Sequence, residues 1–90
     1  VAMVWEDYRN SSTPDVYLQL LDNDGNSTLQ DNGIPISVSE NSQYLPRIKA
    51  DTEHVYVVWE DLRNHPIFSD VYAQKVSLDG SVLWEENGFS

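Results

Sequence analysis

Short runs of β-branched and aromatic residues, separated by turn pairs, recur along the chain. In the half with the clearest pattern they predict four strands, over residues 44–50, 55–63, 70–77 and 81–85. Asp79-Gly80 joins the last two, and the turn pair Asn87-Gly88 follows the fourth; such pairs suit the positive φ angles of tight turns. No stretch has the apolar period of about 3.6 residues that predicts a helix. The pattern therefore predicts an all-β protein.

Two details predict where these strands lie in a sheet. Pro46 has no N–H to donate to a neighbouring strand, so the first strand, or at least its start, is expected at a sheet edge. The second strand is apolar on both faces over its first half, with Val55 and Val57 on one side and Tyr56 and Val58 on the other. This pattern is typical of a sheet that is covered on both sides.

The chain also contains an internal repeat. Residues 1–10 align with 55–64 and residues 15–33 with 70–88, and 15 of these 29 aligned positions are identical. The offsets are 54 and 55 residues, so one unit is about 54 residues long. Four antiparallel strands in a unit of this length match one blade of a β-propeller.

This interpretation predicts a definite strand count. Residues 1–34 are expected to form a partial blade with strands two to four, and residues 35–90 a complete blade, which gives seven strands, or about one and three-quarter blades of a larger propeller. Repeat units of this kind cannot bury their faces alone. We therefore expect a fragment of a longer repeat protein, whose remaining blades, or a protein partner, cover these faces.

The repeated motif resembles a known class of repeats. Both copies read W-E-D-x-R-N, then D-V-Y-x-Q, D-G and N-G, and Pro46-Arg47-Ile48 with Asp51 precedes the second copy. This order is similar to that of propeller-type repeats from secreted or cell-surface bacterial proteins. The resemblance implies a secreted or cell-surface scaffold rather than an enzymatic reaction.

A weaker similarity concerns one turn. Ser77, Asp79 and Trp84 follow the order of the Asp-box of sialidase-like propellers, although Gly80 comes one residue early and the first copy has Leu29 in place of the tryptophan. The shared element is thus the turn rather than the full motif. No sialidase catalytic residue has a counterpart in this chain.

Charge and composition exclude several partners. The chain has 15 acidic and 5 basic residues and a formal net charge of -10. This charge repels nucleic acids and anionic membrane surfaces. No apolar run approaches the roughly 20 residues of a membrane-spanning helix. Cysteine is absent, so no disulfide or thiolate zinc site is available.

The motif itself is the main candidate for chemistry. Alternate residues of a strand share a face, so Trp, Asp and Arg of each copy point in the same direction. They could form a sugar site, with the indole under a pyranose ring, or a structural ion pair that fastens the strand to its neighbour. In the structural interpretation the indoles are buried between blades, and each arginine binds the aspartate of its own motif or the one that opens the facing strand. The residues concerned are Trp5, Asp7, Arg9, Asp15, Trp59, Asp61, Arg63 and Asp70.

Repetition of the motif argues against catalysis. An acid–base pair needs two carboxylates in different environments, whereas repeated motifs give equal environments. We therefore predict a non-enzymatic scaffold or interaction module. A glycan-binding propeller is the alternative, because lectins of this fold repeat one site per blade, and a further possibility is that these blades form the wall of a sialidase-like or glycoside-hydrolase-like enzyme.

The other polar clusters in the sequence indicate turns and solvated loops rather than binding sites. The acidic turns at residues 22–26 and 31–32 could ligate calcium, but their spacing does not fit an EF-hand loop and most of the possible ligands are lost in the second copy. Turn formation explains them better. His54 and His65 are expected to be solvated loop residues. No cofactor or metal site is assigned.

Overall fold

Two small antiparallel sheets make up the molecule. The computed structural model describes residues 1–90 and contains no helix, which confirms the all-β prediction. The first sheet has the strand order β1-β2-β3 and the second the order β4-β5-β6, so that β2 and β5 are central. The strands are β1 (Ala2–Asp7), β2 (Asp15–Leu20), β3 (Ile34–Ser37), β4 (Gln43–Ala50), β5 (His54–Asp61) and β6 (Asp70–Ser77).

Three predicted strands are present at nearly the predicted positions. β6 has the predicted bounds, and β4 begins one residue early. β5 ends at Asp61 rather than at Arg63, since the Asp61 carboxylate accepts the N–H of Arg63 at 2.9 Å and turns the chain there. β4 is an edge strand with a bulge around Pro46, as expected from the missing N–H of proline.

The predicted fourth strand, residues 81–85, is wrong. Only Val82 forms a β-bridge there, to Val76. The side chain of Gln74 takes the place of a strand ladder, because its Oε1 accepts the N–H of Trp84 at 3.0 Å and its Nε2 donates to the carbonyl of Glu85 at 2.7 Å. In the first copy Gln19 binds the backbone of Leu29 and Gln30 in the same way.

The strand that pairs with β2 comes later in the chain than predicted. β3 starts directly after Asn32-Gly33, and at the equivalent place in the second copy Phe89 forms a bridge to Ala73. The chain thus has six strands in two three-stranded sheets, not the seven predicted.

Each sheet has two distinct faces, which we call the motif face and the reverse face. The motif face carries the tryptophan of the repeated motif, and the reverse face carries the intervening residues. Pairing across the strands assigns Trp5 and Tyr17 to the motif face of the first sheet, Val4 and Leu18 to its reverse face, Trp59 and Tyr72 to the motif face of the second sheet, and Val58 and Ala73 to its reverse face.

The core lies between the two sheets. The reverse face of the first sheet packs against the motif face of the second. This contact forms one cluster of buried residues: Val16, Leu18, Leu20, Ile36, Val55, Val57, Trp59, Tyr72 and Val76. The expectation that β5 is covered on both sides is met only on this face, since Val58 on the other face is exposed.

Candidate functional site

The first motif forms a closed set of hydrogen bonds around Asp7. Trp5 Nε1 donates to Asp7 Oδ2 at 2.8 Å. Arg9 Nε and Nη2 donate to the two carboxylate oxygens at 2.8 and 2.7 Å, and the backbone N–H of Arg9 adds a bond of 2.9 Å. Asp7 is therefore bound by the residues two positions before and two positions after it.

The second motif reproduces this set around Asp61. Trp59 Nε1 donates to Asp61 Oδ2 at 2.8 Å. Arg63 Nε and Nη2 reach the two oxygens at 2.9 and 2.6 Å, and its backbone N–H reaches Oδ1 at 2.9 Å. The fork-shaped ion pair of the structural interpretation is thus present in both copies.

Each arginine also joins two other parts of its repeat. The guanidinium of Arg9 lies 3.9 Å from the ring centroid of Tyr17 and donates to the carbonyl oxygen of Asn32 at 2.6 Å. Arg63 lies 3.8 Å from the centroid of Tyr72 and donates to the carbonyl of Asn87 at 2.8 Å. The arginine therefore ties the end of one strand to the next strand and to the Asn-Gly turn.

The Asn-Gly turn packs directly on the tryptophan, a contact that sequence reasoning missed. Gly33 has φ +86°, and a Cβ there would lie 2.5 Å from the Trp5 ring and 2.9 Å from the Leu18 carbonyl. At Gly88 (φ +83°) a Cβ would lie 2.5 Å from Trp59. The only sequence signal was that Asn-Gly recurs at a fixed distance from each motif.

Asp15 and Asp70 do not bind the arginines, contrary to the expectation that they serve as second partners. Asn10 Nδ2 donates to Asp15 at 3.1 Å and to the Tyr17 hydroxyl at 3.1 Å. Asn64 bridges Asp70 and Tyr72 in the same way. The final asparagine of the motif thus fills the role expected of the arginine.

The two copies differ in how far neighbouring parts of the molecule cover them. Trp59 is fully buried, as predicted, whereas Trp5 is only half-buried. The side chain of Arg63 is 16% exposed and that of Arg9 38%. Arg63 also donates to Ser37 of the first sheet at 2.9 Å, a contact between repeats that Arg9 does not make.

Both aspartates are held in the ionised form. The hydrogen bonds from the Arg9 guanidinium hold the pKa of Asp7 far below its usual range, although partial burial opposes them. At Asp61 burial by itself favours the neutral acid, but the hydrogen bonds from Arg63 and Trp59 outweigh it and lower the pKa. Neither carboxyl can act as a general acid near neutral pH.

The space next to Trp5 does not combine the three motif side chains. An open depression of about 420 Å³ is lined by Trp5 together with Val4, Glu6, Leu45, Pro46 and Arg47. Asp7 and Arg9 do not line it. Val4 and Glu6 lie on the reverse face of β1 and the Trp5 indole lies on its motif face, so the depression does not combine the indole with the motif ion pair.

The remaining polar candidates take part in turns. Asp22 accepts the N–H groups of Asp24 and Asn26 at 2.9 Å, and His65 Nδ1 accepts that of Ile67 at 3.2 Å. His54, which was predicted to be a loop residue, is instead the first residue of β5, and its Nδ1 lies 3.8 Å from Asp51. Nowhere do three His, Asp or Glu side chains come together in a group that could hold a metal ion.

Comparison with known proteins adds no assignment. No protein-family model, curated protein or solved structure matches this chain. The structure contains no helix long and apolar enough to cross a membrane.

Proposed function

We propose that this chain is a non-catalytic interaction scaffold, formed by successive repeat units of an extracellular β-propeller. The observation that carries the proposal is the closure of both motifs. In each copy the aspartate, the indole N–H and the arginine are bonded to one another and to the backbone of the same repeat. Polar groups that satisfy each other in this way have little capacity left for a substrate.

The packing of the two sheets supports the propeller. Successive blades of a propeller stack face to face around an axis. Here the reverse face of one sheet packs on the motif face of the next, and polar contacts fix the pair: Leu45 N–H donates to Glu6 at 3.0 Å and Val38 N–H to the Asn87 side chain at 3.0 Å. The secreted or cell-surface location rests on the motif resemblance alone.

Tandem arrays of the repeat test the propeller directly. Chains with increasing numbers of the 55-residue unit, residues 34–88, which begins with β3 and ends with the second Asn-Gly turn, are compared by chemical denaturation and small-angle scattering. A propeller predicts a sharp rise in stability and a compact ring at one number, within the usual range of about four to eight blades. A steady gain per unit, with growing length, would instead indicate an open solenoid and would contradict the proposal.

A glycan-binding module remains the second candidate, because the indole of Trp5 is only half-buried. Tryptophan fluorescence of the chain titrated with a panel of sugars tests it. The scaffold proposal predicts no saturable change. Saturable quenching that is lost in Trp5→Phe but kept in Trp84→Phe would favour the glycan module.

A further inference from the structure

A groove lies where the two repeats meet, at the end of the sheets where β1 passes into β2 and β5 into β6. We call it the seam groove. It has a volume of about 240 Å³ and is lined by Glu6, Tyr8 and Pro14 of the first repeat and by Ser42, Tyr44 and Leu62 of the second. Both walls of the seam groove are therefore formed by the chain itself, in contact between its two repeats.

Tyr8 is the side chain of this groove that the fold explains least. It occupies the variable position of the motif W-E-D-x-R-N, where the second copy has Leu62. Val4 and Leu18, on the reverse face of the first sheet, pack in the core, yet Tyr8 lies beyond the end of β1 and is 58% exposed. Neither the core nor the hydrogen bonds of the motif require a tyrosine at this position.

Glu6 supplies a carboxylate next to Tyr8. Its Oε2 accepts the N–H of Leu45 at 3.0 Å, which anchors the side chain between the repeats and leaves Oε1 free for a second donor. Arg47 shares a separate depression with Glu6 but does not line the seam groove, and no ion pair joins the two. The seam groove thus combines a tyrosine ring with an unpaired carboxylate.

Elsewhere the molecule uses this combination twice to hold an arginine. Arg9 lies 3.9 Å from the ring centroid of Tyr17 and binds the carboxylate of Asp7. Arg63 lies 3.8 Å from the ring of the equivalent tyrosine and binds the equivalent aspartate. A guanidinium suits such a pair because its planar face stacks on the ring while its N–H groups donate to the carboxylate. In the seam groove the ring and the carboxylate are present without an arginine.

Size and charge also favour a basic side chain. Sites that enclose a whole small molecule usually measure roughly 300–1,000 Å³, and the seam groove is smaller. Pro14 and Leu62 offer apolar surface to the methylene stem of a long side chain. The formal charge of -10 attracts cationic segments.

We propose that the seam groove binds an arginine side chain on the surface of a partner protein, with the guanidinium over the Tyr8 ring and bonded to Glu6. The inference rests on the proposed role as an interaction scaffold, and it names the surface and the chemistry of the partner. Because Leu62 replaces the tyrosine in the second copy, this site belongs to one seam and is not repeated in every unit.

An NMR titration of the intact chain with two blocked pentapeptides tests the proposal. One peptide carries arginine between glycines, and the other carries citrulline, which has nearly the same shape but no charge. The ring signals of Tyr8 and Tyr44 are expected to shift saturably with the arginine peptide, which binds at least about threefold more tightly than the citrulline peptide. The absence of a saturable shift, or equal affinity for the two peptides, overturns this inference.

Variants locate the contact. Tyr8→Leu gives the first motif the residue of the second, and Glu6→Gln keeps an acceptor for the N–H of Leu45; each is expected to weaken binding of the arginine peptide about threefold. Glu53→Gln removes the same charge from the turn before β5, and Phe68→Leu changes an exposed aromatic residue in the loop before β6. Both are matched controls and are expected to leave the affinity unchanged.

Backbone amide spectra check that each variant is folded, and the comparison of the two peptides does not depend on any variant. An equal loss of affinity in Glu53→Gln and Glu6→Gln would indicate attraction to the net charge alone and would overturn this inference. That result would not alter the ring expected of tandem arrays, and an open solenoid would keep the same contact between adjacent repeats, so the two proposals fail separately.

Discussion

The two copies of the motif have the same contacts but different surroundings. The indole–aspartate bond is 2.8 Å in both, and the arginine–aspartate bonds agree within 0.1 Å. Only the second copy, however, is covered by another sheet. The comparison indicates that each repeat sets the geometry of its own motif, whereas the neighbouring sheet sets how much that motif contributes to stability.

The largest expected difference concerns the tryptophans. Trp59→Ala removes a fully buried side chain from the core and is expected to cost about 4 kcal/mol of unfolding free energy. Trp5→Ala removes a half-buried ring and is expected to cost about half as much. Chemical denaturation measures both values, with Trp84→Ala as the control for an exposed indole. Equal losses at Trp5 and Trp59 would contradict a role for the neighbouring sheet.

The arginines are expected to follow the same order. Arg63→Ala leaves the fully buried Asp61 carboxylate without its charged partner and is expected to cost about 3 kcal/mol. Arg9→Ala affects a more exposed pair, which solvent screens, and is expected to cost clearly less than Arg63→Ala. Arg63→Lys is expected to recover little, because lysine cannot donate to both oxygens in a fork. Denaturation midpoints check this order, and a similar loss in the two alanine variants would break it.

Substitution of the two glycines is expected to cost the same unfolding free energy in both copies, unlike substitution of the tryptophans and arginines, because the close contacts of each glycine lie within one repeat. Gly33→Ala and Gly88→Ala each force a Cβ against a tryptophan at a positive φ angle and are expected to cost about 2 kcal/mol each. Gly25→Ala is the control, since it shares the positive φ but meets no atom within 4 Å. A much larger loss of unfolding free energy in Gly88→Ala than in Gly33→Ala would contradict the claim that these glycine contacts depend on one repeat alone.

Acid sensitivity is the smallest of the expected effects. The pKa of Asp61 is lower in the folded chain than in the unfolded chain, so the unfolded chain binds a proton more readily. The ionised Asp61 carboxylate therefore stabilises the fold above about pH 4, near the unfolded pKa, and this stabilisation is lost as the pH falls below that value. Asp61→Asn is expected to flatten the fall in unfolding free energy below about pH 4 by up to 1.4 kcal/mol per pH unit. Unfolding measured from pH 6 downward checks this, and an unchanged slope would mean that Asp61 does not contribute.

Much of the fold could be predicted from the sequence, and the errors have identifiable causes. β6 and most of β4 and β5 follow from alternation and β-branched composition, since a strand buried on one face must show that pattern. Residues 81–85 have a similar composition, but the side-chain amide of Gln74 forms hydrogen bonds with their backbone, and they do not form a strand. Propensity cannot reveal a side chain that takes over backbone hydrogen bonds.

Only the contacts of the candidate site that are local in sequence could be predicted. The pairing of Asp7 with Arg9 and of Asp61 with Arg63 follows from strand alternation. The partners that lie far away in sequence, such as the Asn87 carbonyl and Ser37, depend on where the turn and the neighbouring sheet fall. These positions are set by tertiary packing and leave no local pattern.

The central claim is that the motif is a structural contact and not a sugar-binding site. NMR tests it most directly, by measuring the hydrogen exchange of the three indole N–H groups and their chemical shifts during a sugar titration. Trp59 Nε1–H is expected to exchange only at the rate of global unfolding, because it is buried and bonded to Asp61. Trp5 is expected to exchange faster than Trp59 and slower than the exposed Trp84. Neither motif indole is expected to shift with added sugar. Exchange of Trp59 as fast as that of Trp84, or a saturable shift of Trp5 and Trp59, would contradict the claim.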